Sequence, residues 1–434
     1  MDQEGKTNFS FASIAISFFI LIVLPLTITG VIISKGVVKV GEEATQANLR
    51  ILDDSQKQSI GGRAQTVADA VAQFLSDREK DIRIASILPR DENSYTTFIR
   101  SNTRGIIKSS NVGMVKIPMP LYREIAFLNK SGMEVLKVTN EGVVARDKLK
   151  DLSNPENGEY GNEEYFVKAK GMVPGEFYMG PVVGRHVNKA EFDGGKRFDG
   201  LIRMASPVFD SNGFAGVVEL ALEYVHIMEF TDHIIPTEPG MFFAEVDADD
   251  MNFAFMVDRD GFMISHPTDY VLRGLDANMD PVPVMNEQNY GELSKTGTGA
   301  MNVLEMGFLD ENLPKIQALA SEGKSGSLTY TVKDTRIFAA YAHIPYYGNG
   351  FSKPQGFGWV GMMVDIDKYH HLSQEKVKEI QLKVERWQKS SIVVVFVSLI
   401  LLFIIALILA RGLYRSIQAA RRPEEMSSLE DDEE

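Results

Sequence analysis

The sequence has no cysteine among its 434 residues. Disulfide bonds, thiolate metal sites and cysteine nucleophiles are therefore excluded. The formal net charge is -14, and lysine and arginine form no dense cluster. Because phosphate binding needs a clustered basic surface, we expect no nucleic-acid partner.

Motifs of the common enzyme classes are also missing. The sequence contains no H-E-x-x-H, no phosphate-binding loop, no G-x-G-x-x-G and no G-x-S-x-G. Neither His226 with His233 nor the pair His370-His371 has the spacing to carboxylates that a metal site requires. We predict no enzyme, no cofactor and no metal site. A hydrolase with paired carboxylates stays open as an alternative, because such pairs have no fixed spacing.

Charged side chains are absent from two long runs, residues 9–34 and 390–410. Each run exceeds the roughly 20 residues that a helix needs to cross a bilayer. The first is longer than the apolar core of a secretory signal, and no A-x-A-like cleavage site follows it, so we interpret it as an uncleaved span. The alternative of a buried helix suits the second run poorly, because that run is apolar on every face.

Two spans put both chain ends on one side of the membrane and residues 35–389 on the other. Four arginines between positions 411 and 422 favour a cytoplasmic tail. We therefore predict a two-span protein of the cytoplasmic (inner) membrane with a large periplasmic or extracellular domain.

A long amphipathic helix is predicted directly after the first span. Apolar residues recur there at spacings of three and four, at Ala64, Val67, Ala68, Val71, Phe74, Leu75 and Ile82. This stripe packs either on its own domain or on the same helix of a second copy, which would make a homodimer.

Two similar hairpins lie far apart in the sequence. In the first, IAFL precedes the turn Asn129-Lys130-Ser131-Gly132 and MEVLKV follows it; in the second, FAFMV precedes Asp258-Arg259-Asp260-Gly261 and FMISH follows. A second strand pair comes after each hairpin, at residues 203–222 and 337–366. Two ordered sets at similar spacing predict a duplicated α+β module.

These phrases, in this order between two spans, resemble the extracytoplasmic double Cache domain of bacterial chemoreceptors, sensor kinases and cyclic-nucleotide-signalling enzymes. The phrases are YREIAFLNKSGMEVLKV (122–138), EYFVKAKGMVPGEFYMGPV (164–182), IRMASPVFDSNGFAGVVELAL (202–222), FMVDRDGFMISHP (255–267) and AAYAHIPYY (339–347). The resemblance covers residues 37–389. It implies two tandem PAS-like modules on a long N-terminal helix, each with a central antiparallel sheet, and a ligand in the membrane-distal module.

The expected division of the chain is as follows: 1–8 a short N-terminal cytoplasmic segment, 9–34 the first transmembrane helix, 37–88 a long stalk helix, 89–235 the membrane-distal Cache module, 236–370 the membrane-proximal module, 371–389 a connecting helix, 390–410 the second transmembrane helix, and 411–434 a short acidic cytoplasmic tail.

The resemblance also bears on the ligand class. Amino-acid-binding members place an arginine two residues before an aromatic pair and an aspartate at the end of a Gly-Val-Val strand. Here the aromatic pair is Tyr165-Phe166, the arginine position is Glu163, and the aspartate position is Ala221. An ordinary α-amino acid is therefore disfavoured as the ligand.

Similar domains place the ligand pocket beside four polar or aromatic residues of the first module: Tyr165, Tyr178, Arg203 and Glu219. Arg203 pairs either with a ligand carboxylate or with a neighbouring acid. Glu219 either supplies the negative charge that Ala221 lacks or is a solvated strand residue. The two tyrosines either contact the ligand or pack in the core. A further pocket in the second module would use His266, Tyr341 and His343, with a structural role as the alternative.

The residues after the second span form a short tail with two distinct parts. Residues 411–417 resemble the opening of a HAMP linker, although Ser416 stands where proline is usual, and the acidic stretch from Pro423 predicts a disordered end. No output domain follows in this sequence. We expect a sensor or co-receptor that binds a small metabolite and relays the signal to a separate cytoplasmic or membrane partner. The alternatives are an accessory membrane protein that uses the scaffold for protein contacts, and a truncated receptor.

Overall fold

The structure is a computed structural model that describes residues 10–110, 113–238, 246–332, 334–348 and 350–430. The predicted N-terminal segment 1–8 lies outside these residues. The described chain divides into two compact units. One comprises the residues up to Asp54 together with those from His370 on, and the other is Ser55–Tyr369.

The N-terminal apolar segment is helical but not uniform. Helix α1, Phe11–Phe18, begins after Ser10, whose side chain accepts a hydrogen bond from the amide of Ser13. The chain then makes a π-helical turn over Phe19–Val23 and continues as α2, Leu24–Ile87. Pro25 has no amide hydrogen and its ring crowds the carbonyl four residues earlier, which lies in this turn.

Helix α2 belongs to the second unit from Ser55 on. Its predicted apolar stripe is buried in the protein's own core at Ala64, Ala68, Val71, Phe74, Leu75 and Ile82, with Val67 partly buried against that core. Two tyrosine hydroxyls bind it. Tyr122 Oη donates to Asp81 at 2.6 Å, and Tyr346 Oη donates to Glu79 at 2.7 Å. Glu79 and Asp81 are two positions apart, which corresponds to about 200° around the helix axis. The two hydrogen bonds therefore lie on opposite sides of α2.

The first module surrounds a six-stranded antiparallel sheet. Its elements are α3 Glu92–Ser101, β1 Thr103–Ser110, β2 Gly113–Pro120, β3 Tyr122–Asn129, β4 Glu134–Thr139, β5 Gly142–Val143, α4 Tyr165–Lys170, β6 Tyr178–Arg185, α5 Lys189–Asp193, β7 Asp199–Asp210, β8 Gly213–Glu223 and α6 Val225–Met228. The strand order is β5-β4-β3-β8-β7-β6, and β1 with β2 forms a separate hairpin.

The second module surrounds a five-stranded antiparallel sheet. Its elements are β9 Asn252–Asp258, β10 Met263–Ser265, α7 Tyr290–Thr296, α8 Asn312–Ser321, β11 Gly326–Val332, β12 Thr335–Ile344 and β13 Gly358–Asp365. The strand order is β10-β9-β13-β12-β11. Without β5, the order in the first module is β4-β3-β8-β7-β6, and each of these strands has a counterpart at the same place in the second sheet.

The two modules also share an unusual backbone position. Gly216 in β8 and Gly358 in β13 have φ angles of 155° and 156°. They lie opposite equivalent residues, Asn129 at the end of β3 and Asp258 at the end of β9. Shared strand order and shared glycine geometry confirm the predicted α+β fold with two tandem modules.

Helix α9, Ile366–Glu430, ends the described chain. The windows Phe11–Ile32 and Glu385–Ala419 are long and apolar enough to cross a membrane, and they overlap the two predicted spans. The prediction of a disordered end from Pro423 is wrong as far as Glu430, where the chain is still helical. Alanine, glutamate and methionine around Pro423 are strong helix formers, which explains the difference.

Replacing Gly358 should destabilise the second module. A Cβ at this position would collide with the carbonyl oxygen of Val257 and approach Asp258 Cα to 2.9 Å, and the positive φ adds strain. We expect Gly358→Ala to lower the free energy of unfolding by about 2 kcal/mol or more, measured by urea denaturation of the full chain. Gly62→Ala is the control. This exposed position of α2 has open space around it, so alanine should stabilise the protein by about 0.5–1 kcal/mol. Equal effects of the two changes would contradict the steric explanation.

Candidate functional site

One face of the first sheet has small residues at its centre. Ala126, Ala205 and Ala221, on β3, β7 and β8, are fully buried there. Arg203 lies opposite Ala221 in the β7–β8 register, and Glu219 lies opposite Ala205. Because close packing leaves few voids, the space beside the alanines is filled by these longer charged side chains.

The guanidinium of Arg203 is enclosed by carboxylates. Its Nη1 donates to Glu219 Oε1 at 2.9 Å and to Glu124, and its Nε donates to Glu163 Oε1 at 2.8 Å. Nη2 reaches Glu159 Oε2 at 3.3 Å. Only Glu159, with a side chain 44% exposed, is well open to solvent. Arginine suits this position because its planar fork can serve several carboxylates at once.

Lys137 on β4 extends the network. Its Nζ lies 2.9 Å from Glu124 Oε1 and 3.3 Å from Glu134 Oε1. We call the whole group the Arg203 cluster: Arg203, Lys137, Glu124, Glu134, Glu159, Glu163 and Glu219. It holds five carboxyl groups and two cations, so it is short of positive charge.

The shortage of positive charge in the Arg203 cluster affects the pKa of Glu219. Burial away from water raises the pKa of Glu219 to about 8, against the opposing effect of Arg203. Its second oxygen, Oε2, is buried without a hydrogen-bond partner in the described structure. Burial alone would also raise the pKa of Glu124, but Arg203 and Lys137 outweigh burial and hold that pKa below its usual range. Of these two carboxyl groups, Glu219 is the one whose raised pKa favours the protonated form at neutral pH.

The structure brings together three of the four residues predicted for the first module. Tyr165 on α4 lies with its ring 5.5 Å from the Arg203 guanidinium, which in turn binds Glu219. Tyr178 on β6 packs against the same apolar cluster as Tyr165 but also lines a separate cavity. Of the two alternatives for Arg203, the neighbouring acids are what it contacts.

Sequence reasoning did not find the role of Glu124. The signal was present, because Glu124 is a charged residue directly before the apolar run Ile125–Leu128 of the same strand. Glu163 was noted only as standing where similar domains have an arginine. It binds an arginine instead, and that arginine lies opposite Ala221, the other altered position.

The three residues predicted for the second module do not form one group. Tyr341 and His343 are neighbours on one face of β12, and His343 Nε2 lies 3.1 Å from Tyr347 Oη. His266 follows β10, and β9 and β13 lie between β10 and β12. There the His266 ring packs against Phe253 and its Nδ1 lies 2.7 Å from Thr268 Oγ1. Burial lowers the pKa of His266 to about 4, so this ring is neutral.

A cavity of about 440 Å³ lies between the two modules, and we call it the inter-module cavity. Residues of β6 and the loop before it form one wall, and the β9–β10 turn forms the other. The walls are mostly apolar or aromatic, including Phe177, Met179, Phe198, Leu272, Phe351 and Phe357. Charged groups are few: Asp258, Arg259, Asp260 and Arg273. This size and this lining are typical of small-molecule sites.

Among the described residues, no group of three or more His, Asp or Glu side chains is arranged to hold a metal ion. The Arg203 cluster and the inter-module cavity differ in what they offer a ligand. The Arg203 cluster is closed and satisfied almost entirely by its own residues. The inter-module cavity has open volume, and Tyr178 is the predicted residue that lines it.

No protein-family model matches the chain, and no curated protein matches it. Solved structures similar to it over most of its length are sensory ligand-binding domains of chemoreceptors and histidine kinases, the class that the sequence phrases resemble. One is a domain of a sensory box/GGDEF family protein from Vibrio parahaemolyticus, with 12% identity, 71% of this chain and 97% of that chain covered, and a TM-score of 0.40.

Two others are amino-acid chemoreceptor domains. The Pseudomonas fluorescens chemoreceptor CtaA with L-isoleucine has 13% identity, covers 74% of this chain and 98% of its own, and has a TM-score of 0.38. Pseudomonas aeruginosa PctB with L-Arg has 14% identity, 74% and 93% coverage, and a TM-score of 0.39. The amino acids are ligands of those receptors. We describe the fold of the present chain from its own strand order and register.

Removing the Arg203 side chain should leave the buried Glu163 without a counter-ion and should take from Glu124 and Glu219 the donor that they share. We expect Arg203→Ala to lower the free energy of unfolding by about 3–5 kcal/mol, measured by urea denaturation of the full chain. The control is Arg336→Ala. Arg336 pairs with Asp367 at 2.6 Å, but both side chains are about half exposed, so its loss should cost no more than about 1 kcal/mol. A similar small cost for both variants would contradict a structural role for the cluster.

Glu219 makes stability depend on pH. Between its ordinary value of 4.5 and about 8, the folded protein keeps a proton on Glu219 that the unfolded chain releases. This contribution to stability is therefore complete below 4.5 and is lost as pH rises through about 8. Glu219→Gln keeps the shape and removes the titration.

Relative to the unmodified protein, Glu219→Gln should gain thermal stability steadily from pH 5 to pH 8, by up to about 1.4 kcal/mol per pH unit. Thermal melts of the full chain across this range give the measurement. Parallel pH profiles for the two proteins would show that Glu219 does not hold the proton.

Proposed function

We propose that the chain is a membrane-anchored sensor whose α+β body lies outside the cytoplasm, binds a small organic molecule in the inter-module cavity, and relays the signal to a separate partner. The observation that carries the proposal is the cavity itself. It combines open volume, apolar walls and a few charged groups.

The position of the cavity supports a signalling role. Its walls belong to both modules, so the space available to a ligand depends on how the modules are placed. A ligand that fits one placement better than another shifts the population toward that placement. Binding within a single rigid module would lack this coupling.

One wall of the cavity is in contact with α2. Phe177 lines the cavity, and the Arg83 guanidinium of α2 lies 5.7 Å from its ring centre. Arg83 also donates a hydrogen bond to the carbonyl oxygen of Gly175 in the same loop. Helix α2 is continuous from Leu24 to Ile87, so the cavity wall is linked to the helix that contains part of the first apolar window.

The proposal also covers the location, the module boundaries, the oligomeric state and the activity of the protein. We place the protein in the cytoplasmic membrane, with modules at 89–235 and 236–370, acting as a homodimer and without catalytic activity. The apolar windows support the membrane anchor. The partner that receives the signal is a second membrane or cytoplasmic protein.

Filling the cavity should abolish ligand binding. The full chain in lipid nanodiscs is screened against a metabolite panel, and compounds that raise its thermal midpoint are taken further. These compounds should not raise the midpoint of Val182→Trp, because Val182 lines the cavity and an indole would occupy its volume. Val143→Trp is the matched control. Val143 lies on β5 away from the cavity and is 45% exposed, so this variant should respond as the unmodified protein does.

Two results would refute the proposal. One is a ligand whose stabilising effect is the same in Val182→Trp and in the unmodified protein, because its site would then be elsewhere. The other is a panel in which no compound of any class raises the midpoint, which would favour an accessory protein that uses the scaffold for protein contacts.

A further inference from the structure

The charged residues around the inter-module cavity narrow the class of its ligand, an inference that rests on the proposed function. Arg259 and Arg273 both line the cavity, and each guanidinium is stacked on an aromatic ring. Arg273 lies 4.6 Å from the ring centre of Phe262, and Arg259 lies 4.8 Å from that of Phe351. Arg259 also donates a hydrogen bond to the carbonyl oxygen of Gly350, whereas stacking holds Arg273 in place without using its hydrogen-bond donors.

Neither arginine has a strong acidic partner. The nearest carboxylate oxygen to Arg259 belongs to Asp260, 3.9 Å away, and the Asp260 side chain is 64% exposed. Arg273 has no ion pair in the part of the chain that the structure describes. The guanidinium donors of Arg273 are therefore available to a ligand at the edge of the cavity.

The acids on the same wall are less available. Asp258 accepts hydrogen bonds from the amides of Asp260 and Phe262, each at 2.9 Å. These bonds form the β9–β10 turn, so the carboxylate serves the backbone. Asp260 points largely to solvent. The two arginines thus provide the charge that a bound molecule can use.

The rest of the cavity is apolar. Phe351 and Phe357 lie 5.4 Å apart, and Phe198 lies 5.8 Å from Tyr224. Aromatic walls of this kind bury a flat or flexible hydrocarbon body, and burial of apolar area contributes most of the binding free energy. A small polar ligand would leave these surfaces without contacts.

We infer that the inter-module cavity binds an organic anion with an apolar body, a monocarboxylate of the phenylpropionate or medium-chain fatty acid type. The hydrocarbon packs between the aromatic walls, and the carboxylate binds Arg273 with Arg259 beside it. An arginine and a carboxylate can form two parallel hydrogen bonds, which gives the site its preference for acids.

The test compares probes that share one body and differ in charge: 3-phenylpropionate, 3-phenylpropanol and 3-phenylpropylammonium, with octanoate as a second acid. Binding to the full chain in nanodiscs of neutral lipid is measured by calorimetry. We expect both acids to bind about 10-fold or more tightly than the alcohol and the amine. Arg273→Gln should weaken the acids by about 10-fold and leave the alcohol unchanged, since only the charged head group is affected.

Arg146→Gln is the control for loss of one exposed positive charge away from the cavity, and it should bind the acids normally. If neither acid binds at millimolar concentration, or if acid binding is the same in Arg273→Gln, the ligand class is wrong. The proposed function is tested separately. It survives if ligands of another class lose binding in Val182→Trp, and it fails if no ligand is sensitive to that change.

Discussion

Moving an arginine and several glutamates out of water costs several kcal/mol for each ion, and the first module offsets that cost by bringing the groups into direct contact. Arg203 meets Glu124, Glu163 and Glu219, while Lys137 meets Glu124 from the next strand. The partners come from β3, β4, β7, β8 and the loop before α4. One polar cluster therefore connects four strands and the loop that leads into α4. Its size requires the alanines beside it, because larger side chains would leave no room for the guanidinium.

The cluster also changes the meaning of the two altered positions. The sequence resemblance led us to expect no amino-acid ligand, because Glu163 and Ala221 stand where an arginine and an aspartate were expected. Here an arginine from β7 lies opposite Ala221 and binds Glu163. The charge complementarity at these positions is internal to the protein. The cluster is closed, and the inter-module cavity has open volume.

The sequence predicted the fold well because the relevant signals are local. Hairpin turns such as Asn129–Gly132 depend on a few adjacent residues, and their repetition revealed two modules. The partners of Arg203 depend on the tertiary fold. Glu163 and Glu124 lie 40 and 79 positions away in the chain, and sequence spacing does not reveal which acids meet which arginine. The inter-module cavity was harder still, because its walls are parts of two modules whose packing no local pattern specifies. The helix continues past Pro423 to Glu430 because the helix propensity of the residues around it outweighs the acidic composition that indicated disorder.

The two tyrosine bonds to α2 have a mechanical consequence. Glu79 and Asp81 leave the helix on opposite sides, and each is held by a different module. Forces that act along the helix axis in the same direction at two such points push the helix along its length. Forces of opposite direction form a couple, which tilts or turns the helix. The paired attachments therefore distinguish common displacement of the modules from relative displacement, and they convert the two into different motions of one helix.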